Sequence, residues 1–350
     1  MMGGFAIAGA LDRVFGDKLG LGKEFEKGIL TMGELALAMI GIITLAPVLA
    51  NLLRPVVVPV YGFFGADPAM FAGTILACDM GGGALAKELT ADSQAVLLGG
   101  LMTGAMLGAT VVFTIPVAMG ILQEQDRPYF AKGILCGIVT IPVGVMVGGL
   151  TAGIPVWKVL RNLVPILLIG GLVALGLWKW EKQLLAAFGV FGKGITILAT
   201  FGLGFAILRA LTGIAVLPQM EDVSKGFQTV GEIAIILAGA FPLVAVVTKL
   251  LQKPLGALGH KLGVNAVAAS GFVATLANSI ATFDRVKDMD KRGKVVNIAF
   301  AVSAAFVFGD HMAFAASFSP EYLAPLIIGK LSGGISAVFV ALMLTKRDNA

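Results

Sequence analysis

Lys27-Gly-Ile-Leu-Thr-Met-Gly-Glu34 is written a second time, as Lys225-Gly-Phe-Gln-Thr-Val-Gly-Glu232, with Lys, Gly, Thr, Gly and Glu kept in register. The likeness spreads outward from that block at looser spacing. Leu45-Ala-Pro47-Val48 is answered by Ala240-Phe241-Pro242-Leu243, Pro55 by Pro254, and Gly65-Ala-Asp67 by Gly263-Val-Asn265. Leu76-Ala-Cys78-Asp79 matches Leu276-Ala-Asn278-Ser279, and Val112-Phe113-Thr-Ile115 matches Val307-Phe308-Gly-Asp310. These matches outline two copies, over 27–123 and 225–318, with 1–26 ahead of them, 124–224 between them and 319–350 behind. A doubled half whose apolar segments carry polar residues is the usual plan of a secondary transporter, in which two degenerate copies enclose one site.

Composition agrees with that plan. Hydrophobic residues make up 57% of the 350-residue chain and charged residues 13%, where a soluble domain carries about 25% charge. The expected fold class is all-α: a polytopic membrane protein with two internal repeats and broken helices. Apolar stretches near 1–16, 31–53, 66–86, 95–121, 131–153, 159–180, 190–213, 229–251, 264–283, 294–318 and 321–345 read as about eleven membrane segments. Forty-seven glycines suit close helix contacts and local unwinding within a bilayer. The net charge of +5 sits in short loops, so it reads as a topology signal and does not call for a nucleic-acid partner. On eleven crossings, one side would gather sixteen of the 26 Lys and Arg residues, from Arg13 and Lys18 through Lys87, Lys158, Arg209 and Lys225 to Lys346 and Arg347. That count places the C-terminus in the cytoplasm and the N-terminus outside, with the copies running parallel. Should a broken segment re-enter, the copies become inverted. The first segment is short, so the N-terminus reads as abbreviated.

Two corresponding segments make poor lipid-facing helices. The first is Phe71-Ala-Gly-Thr-Ile-Leu-Ala-Cys78-Asp79-Met-Gly81-Gly82-Gly83-Ala84, and its partner runs from Ser270 through Thr275, Asn278 and Ser279 to Thr282. Three consecutive glycines cost a helix interior about 1 kcal/mol each. Unwound backbone at membrane depth persists only inside protein or around a wet cavity. Asp79 and Asp310 lie within apolar runs, where an aspartate costs about 2.5–3.5 kcal/mol on insertion scales. Each therefore reads either as a hydrogen-bond anchor between helices or as a cation or proton site. Glu34 and Glu232 read as residues near helix starts, favoured by the helix dipole. His311 follows Asp310 and reads either as a buried neutral ring or as a proton relay. Phe113 and Phe308 occupy equivalent places in the copies; such aromatics ordinarily pack, but here they can also line a cation site.

Several functions are excluded. The chain has no P-loop, no Gly-x-Ser-x-Gly elbow, and only two histidines, which rules out a His-rich metal site. Phe308-Gly309-Asp310 glances towards an intramembrane aspartyl protease, but position 307 is Val where that motif needs Gly. No enzyme, cofactor or metal is expected. Cys78 and Cys136 read as buried free thiols.

The long runs carry a family resemblance. Leu35–Ala50, Gly65-Ala-Asp-Pro-Ala-Met-Phe71, Asp79-Met-Gly-Gly82, Val112-Phe-Thr-Ile-Pro116, Asp126-Arg-Pro128, Ala238-Gly-Ala-Phe-Pro242 and Ala301–His311 resemble the ethanolamine permeases of bacterial ethanolamine-utilisation operons. The likeness departs at Cys78 and Gly83, where the family leads one to expect asparagine and a bulkier residue. It implies ethanolamine import across the cytoplasmic (inner) membrane, feeding breakdown by a cobalamin-dependent lyase. Ethanolamine is a small ammonium with one hydroxyl. Asp79 and Asp310 would supply charge, Asn278, Ser279 and Thr275 would meet the hydroxyl and remaining protons, and Phe113 and Phe308 would exclude water. Four heavy atoms at a ceiling of roughly 1.5 kcal/mol each give about 6 kcal/mol, or tens of micromolar. The alternatives are a sodium- or proton-coupled carrier of another small amine or amino acid, and a sensor or assembly subunit that binds without moving its ligand. The sequence sets no oligomeric state, and a homo-oligomer is one option.

Overall fold

The computed structural model describes residues 2–345, apart from the side chains of 251–258 and 260. Met1, the tail from Lys346 onward and the side chain of Pro254 lie outside them. Among the described residues every regular element is helical.

A short helix α1 (Met2–Val14) turns into α2 (Leu21–Phe63), and the Asp12 carboxylate accepts the N–H groups of Leu19, Leu21 and Gly22 across that turn. Those are amides a helix start otherwise leaves unpaired. Next come α3 (Ala69–Ile75) and α4 (Gly83–Leu89), joined through Cys78–Gly82, then the long α5 (Ser93–Ile121). α6 (Arg127–Ile138) and α7 (Ile141–Thr151) form one bent crossing, followed by α8 (Val156–Lys179) and α9 (Glu181–Thr212). The last third holds α10 (Val223–Leu262), α11 (Ala266–Ala277), α12 (Ser279–Phe283), α13 (Lys291–Ala304), α14 (Asp310–Phe318) and α15 (Leu323–Leu344). Among the described residues seven helices are long and apolar enough to cross a bilayer. The chain is a multi-pass membrane protein.

Two of the eleven expected crossings turn back. Their arms are too short to cross: seven residues of α3 and twelve of α11 rise about 10 and 18 Å, against a hydrocarbon core of about 30 Å. The ends of each broken segment also meet. Thr90 Oγ1 donates to Asp67 Oδ2 at 3.0 Å, closing the base of a first hairpin over 67–90. Asn265 N donates to Asp290 Oδ1 at 2.7 Å, and its side-chain amide to the Asp288 carbonyl, closing a second hairpin over 265–290.

The loops sort onto two faces at opposite ends of α5. At the first, Asp92 pairs with Lys158, Asp67 N donates to Asn162, and Arg161 donates to the Gly65 carbonyl. At the second, Lys294 pairs with Asp126, Lys132 donates to the Leu344 carbonyl, and Lys249 to that of Leu19. The expected grouping of basic residues therefore splits. Lys87, Lys158, Arg161 and Lys225 belong to the first face, whereas Arg13, Lys18, Lys287 and Lys291 belong to the second, because each hairpin returns to its own side. Long helices α2 and α10 pack antiparallel, with Gly28 against Ala238 and Ile40 against Gly226.

Candidate functional site

Three interruptions of helix meet in the middle of the molecule. In the first hairpin, α3 stops where Leu76 and Ala77 turn extended, and the chain reverses at Gly81 with φ 93°. That left-handed conformation is open to glycine at little cost, and the Ile42 side chain fills the space a Cβ would need. Asp79 rides on this turn. In the second hairpin Asn278 is extended, and its side-chain oxygen accepts the Ile280 N–H to start α12. The third break, Ala305–Gly309, separates α13 from α14, with Phe306 at φ 61°. Its freed amides are satisfied strand-fashion: Phe306 N and Phe308 N donate to the Thr275 and Leu276 carbonyls at 3.2 and 2.9 Å. Unwound backbone at membrane depth requires such partners.

A cavity of about 750 Å³ lies where the breaks converge, walled on its remaining sides by α2, α5 and α9. Asp79, Asn278, Asp310, His311, Phe113 and Glu34 all line it. Of the ten residues read as candidates, four do not line it. Thr275 and Ser279 are fully buried, and the Thr275 hydroxyl meets that of Thr282 at 2.7 Å inside the second hairpin. Phe308 is displaced by Phe306, whose ring meets Phe113 edge-on at 5.5 Å. Glu232 faces α14, where it accepts from Ser317 Oγ at 2.6 Å. Nor does either glutamate stand near a helix start. α2 begins at Leu21 and α10 at Val223, several residues ahead of the apolar runs, so Glu34 and Glu232 are interior helix positions.

The site contains a cation that sequence reading missed. Lys330, fully buried on α15, donates to the Ala105 carbonyl at 2.6 Å, and its Nζ lies 3.1 Å from His311 Nδ1. The other ring nitrogen, Nε2, stands 3.7 Å from Asp79 Oδ1. Cys78 joins the same cluster, its sulfur within 4.8 Å of the Asp79 and His311 atoms. The signal was available: the rule that singles out Asp79 and Asp310, a charge inside an apolar run, applies equally to Lys330 in Leu323–Leu344.

Two smaller hollows continue the cavity. One of about 400 Å³ shares Thr31 and Glu34 with it and leads to Lys23 and Lys27 at the second face. Another of about 330 Å³ lies on the first-face side of Gly81, bounded by Lys87, Phe314 and Phe318. Between the central cavity and this third hollow stands the tip of the first hairpin.

Residues 1–344 match the family described as Ethanolamine utilisation protein, EutH. The chain belongs to the EutH family. It is 53% identical over 343 residues to the probable ethanolamine permease EutH of Listeria monocytogenes, covering 98% of this chain and 92% of that one. The probable ethanolamine permease EutH of Salmonella typhimurium is 44% identical, with 99% and 94% covered. A Bacillus subtilis protein described as uncharacterized YxeR is 47% identical over 350 residues, with 100% and 95% covered. No solved structure matches the chain.

Proposed function

We propose that the chain is a permease that carries ethanolamine across the bacterial inner membrane, with the ammonium held in the central cavity and no use of ATP. The observation that carries this is the cavity itself: Asp79 and Asp310 both open onto one largely apolar chamber between two hairpin tips. A small ammonium leaving water needs a carboxylate and gains from aromatic faces, here Phe113 and Phe306. Permeases named for ethanolamine at 44–53% identity support the choice of substrate.

The geometry supports inverted repeats. α2 and α10, which carry the two copies of the Lys-Gly-x-x-Thr-x-Gly-Glu block, run in opposite directions, and the hairpins enter from opposite faces. The relation is that of many secondary transporters, with the site at the repeat interface. The second face holds Arg13, Lys18, Lys23, Arg127, Lys132, Lys287 and Lys291, and the positive-inside rule makes it, with the C-terminus, cytoplasmic. The chamber then opens inward, and the first hairpin tip closes it from outside.

The test is uptake of labelled ethanolamine by proteoliposomes carrying wild-type, Asp79→Asn or Asp310→Asn protein. Uptake is expected to fall at least about tenfold in each variant. Wild-type rates in both would sink the carboxylate site. Competition by serine or choline, or a sodium requirement, would favour a carrier of another amine or amino acid. Binding without flux would point to a sensor.

A further inference from the structure

We infer that Lys330 is the fixed counter-ion of Asp79, reached through His311, and that Asp310 is in consequence the carboxylate that takes the substrate ammonium. This rests on reading the cavity as an ethanolamine site, and it divides two acids that the sequence treats alike.

Lys330 is the one charged residue of Leu323–Leu344. A buried ammonium demands compensation, since removing a charge from water costs far more than one neutral hydrogen bond returns. Neighbouring helices offer little. α7, whose Gly144 and Gly148 pack against Gly329 beside it, carries no ionisable side chain over Ile141–Thr151, and α5 contributes the Ala105 carbonyl. Among the described residues no carboxylate bonds Lys330 directly. The ionisable groups that face it are Cys78, Asp79 and His311.

The imidazole stands between the two charges. An ammonium has only hydrogens to offer, so Nδ1 accepts from Lys330 and the neutral ring carries its own hydrogen on Nε2. That nitrogen is the one 3.7 Å from Asp79 Oδ1. At 3.7 Å that contact is longer than a hydrogen bond, and Asp79 Oδ1 has no hydrogen-bond partner among the described residues. Cation and anion face each other across the neutral ring and compensate through charge alone. The three groups join α15, the start of α14 and the tip of the first hairpin.

Asp310 is placed differently. It lines the same cavity, yet among the described residues no hydrogen bond or ion pair reaches its carboxylate. Asp79 is 8% exposed and faces the Lys330 charge across His311, whereas Asp310 is half-buried and lines the chamber. An incoming ammonium therefore finds one compensated acid and one free one.

The proposal predicts a rescue that a pair of equivalent acids would not give. Asp79→Asn leaves Lys330 as an uncompensated positive charge behind the cavity wall, and ethanolamine binding to the purified full-length protein, read by calorimetry, weakens about tenfold or more. Adding Lys330→Met to Asp79→Asn removes that charge and recovers binding at least about tenfold over the single variant. Adding Lys330→Met to Asp310→Asn recovers nothing. A double variant that binds no better than Asp79→Asn, or an Asp310→Asn protein with wild-type affinity, overturns the assignment. A ligand-free measurement separates this from failure of the ethanolamine reading. Thermal unfolding without ethanolamine should place Asp79→Asn/Lys330→Met above both single variants, and strictly additive losses would overturn the pairing. Wild-type protein that takes up no ethanolamine would refute the function while the melting cycle still judged the pair.

Discussion

The two hairpins do the same topological job with opposite materials. The first reverses on backbone freedom, at Gly81 with φ 93°, and it carries a charge, Asp79, at its tip. The second reverses on side chains: Asn278 caps α12, Thr275 meets Thr282, and Thr282 donates to the Gly271 carbonyl at 3.1 Å. Its tip has Ser279 where the first has Asp79, and its rising arm is stitched to the third break through the Thr275 and Leu276 carbonyls. The second hairpin is cross-linked internally and to its neighbour. The first, closed at its base by Thr90 and Asp67, has at its tip one glycine packed against Ile42 and the charges around it. The difference assigns roles. The cross-linked hairpin is a wall, while the hairpin between the chamber and the first-face hollow has fewer side-chain bonds at its tip.

The sharpest way to break that contrast is Gly81→Val. A β-branched residue must hold φ near 93° and drive its Cβ into Ile42. Strain and overpacking each cost about 1–3 kcal/mol. Uptake in proteoliposomes should fall to background, with a clear drop in the melting temperature of the purified protein. A variant with wild-type melting would show that the first hairpin tip is not held by Gly81.

The second hairpin should break through its hydroxyls instead, and unequally. Thr282 gives its hydrogen to Gly271, so Thr275 must be the donor between the two threonines. Thr282→Val removes the acceptor of the Thr275 hydroxyl and the second hydrogen bond of the Gly271 carbonyl, which keeps its helical N–H, at a cost of about 2 kcal/mol. Thr275→Val leaves the Thr282–Gly271 bond standing and costs about 1 kcal/mol. Thermal unfolding of the two variants reads that order, and equal losses would contradict the stated direction of the bond.

Much of this was legible in the chain and some was not, for physical reasons. The all-helical membrane class follows from apolar length, and the breaks follow from Gly81-Gly82-Gly83 and Asn278, which cannot continue a lipid-facing helix. The return of those segments was not legible. A run of about 20 apolar residues satisfies the length rule for a crossing, and what turns it back is a contact such as Thr90 with Asp67. Asp79, Asp310, Asn278 and His311 are legible as polar residues within apolar runs and Phe113 by its place in the copies, whereas Glu34, read near a helix start, lines the cavity from the interior of α2. Thr275 faces Thr282 inside its hairpin, and Ser279 lies beside the extended Asn278, where there is no period from which to read a face. The exchange of Phe308 for Phe306 has the same origin, since the positive φ of Phe306 rotates the aromatic positions after α13. Lys330 was as legible as the aspartates by its charge inside an apolar run, but a lysine near a helix end ordinarily snorkels to the surface, and the contacts with Ala105 and His311 show that this one does not.

The smallest expected effect lies at the base of the first hairpin, and it sharpens the comparison with the second. Asp92 caps α5 by accepting from Gln94 N and Ala95 N, and it pairs with Lys158 at 2.6 Å. Asp290 caps α13 in the second hairpin through Gly293 N and Asn265 N. Partial burial alone would raise the Asp92 carboxyl, but Lys158 and the two amides outweigh it and hold the group below its ordinary value. A lowered carboxyl stabilises the fold in full above its unfolded value, near pH 4, and loses that share as pH falls through the depressed folded value. Asp67, across the same base, is pushed the other way by burial, so its own share declines as pH rises. Comparing variants with wild type at each pH isolates Asp92 from it. The Asp92 side chain is 37% exposed, so solvent screening keeps the ion pair within about 0–1 kcal/mol. Asp92→Asn retains the cap and loses only the pair, whereas Asp92→Ala loses both, about 1 kcal/mol more. In melting curves the Asp92→Asn deficit should vanish in high salt and on acidification. The Asp92→Ala deficit should shrink in salt but persist. If the two variants melted together at every salt concentration, the cap would hold nothing, and if Asp92→Asn melted with wild type at low salt, neither would Lys158.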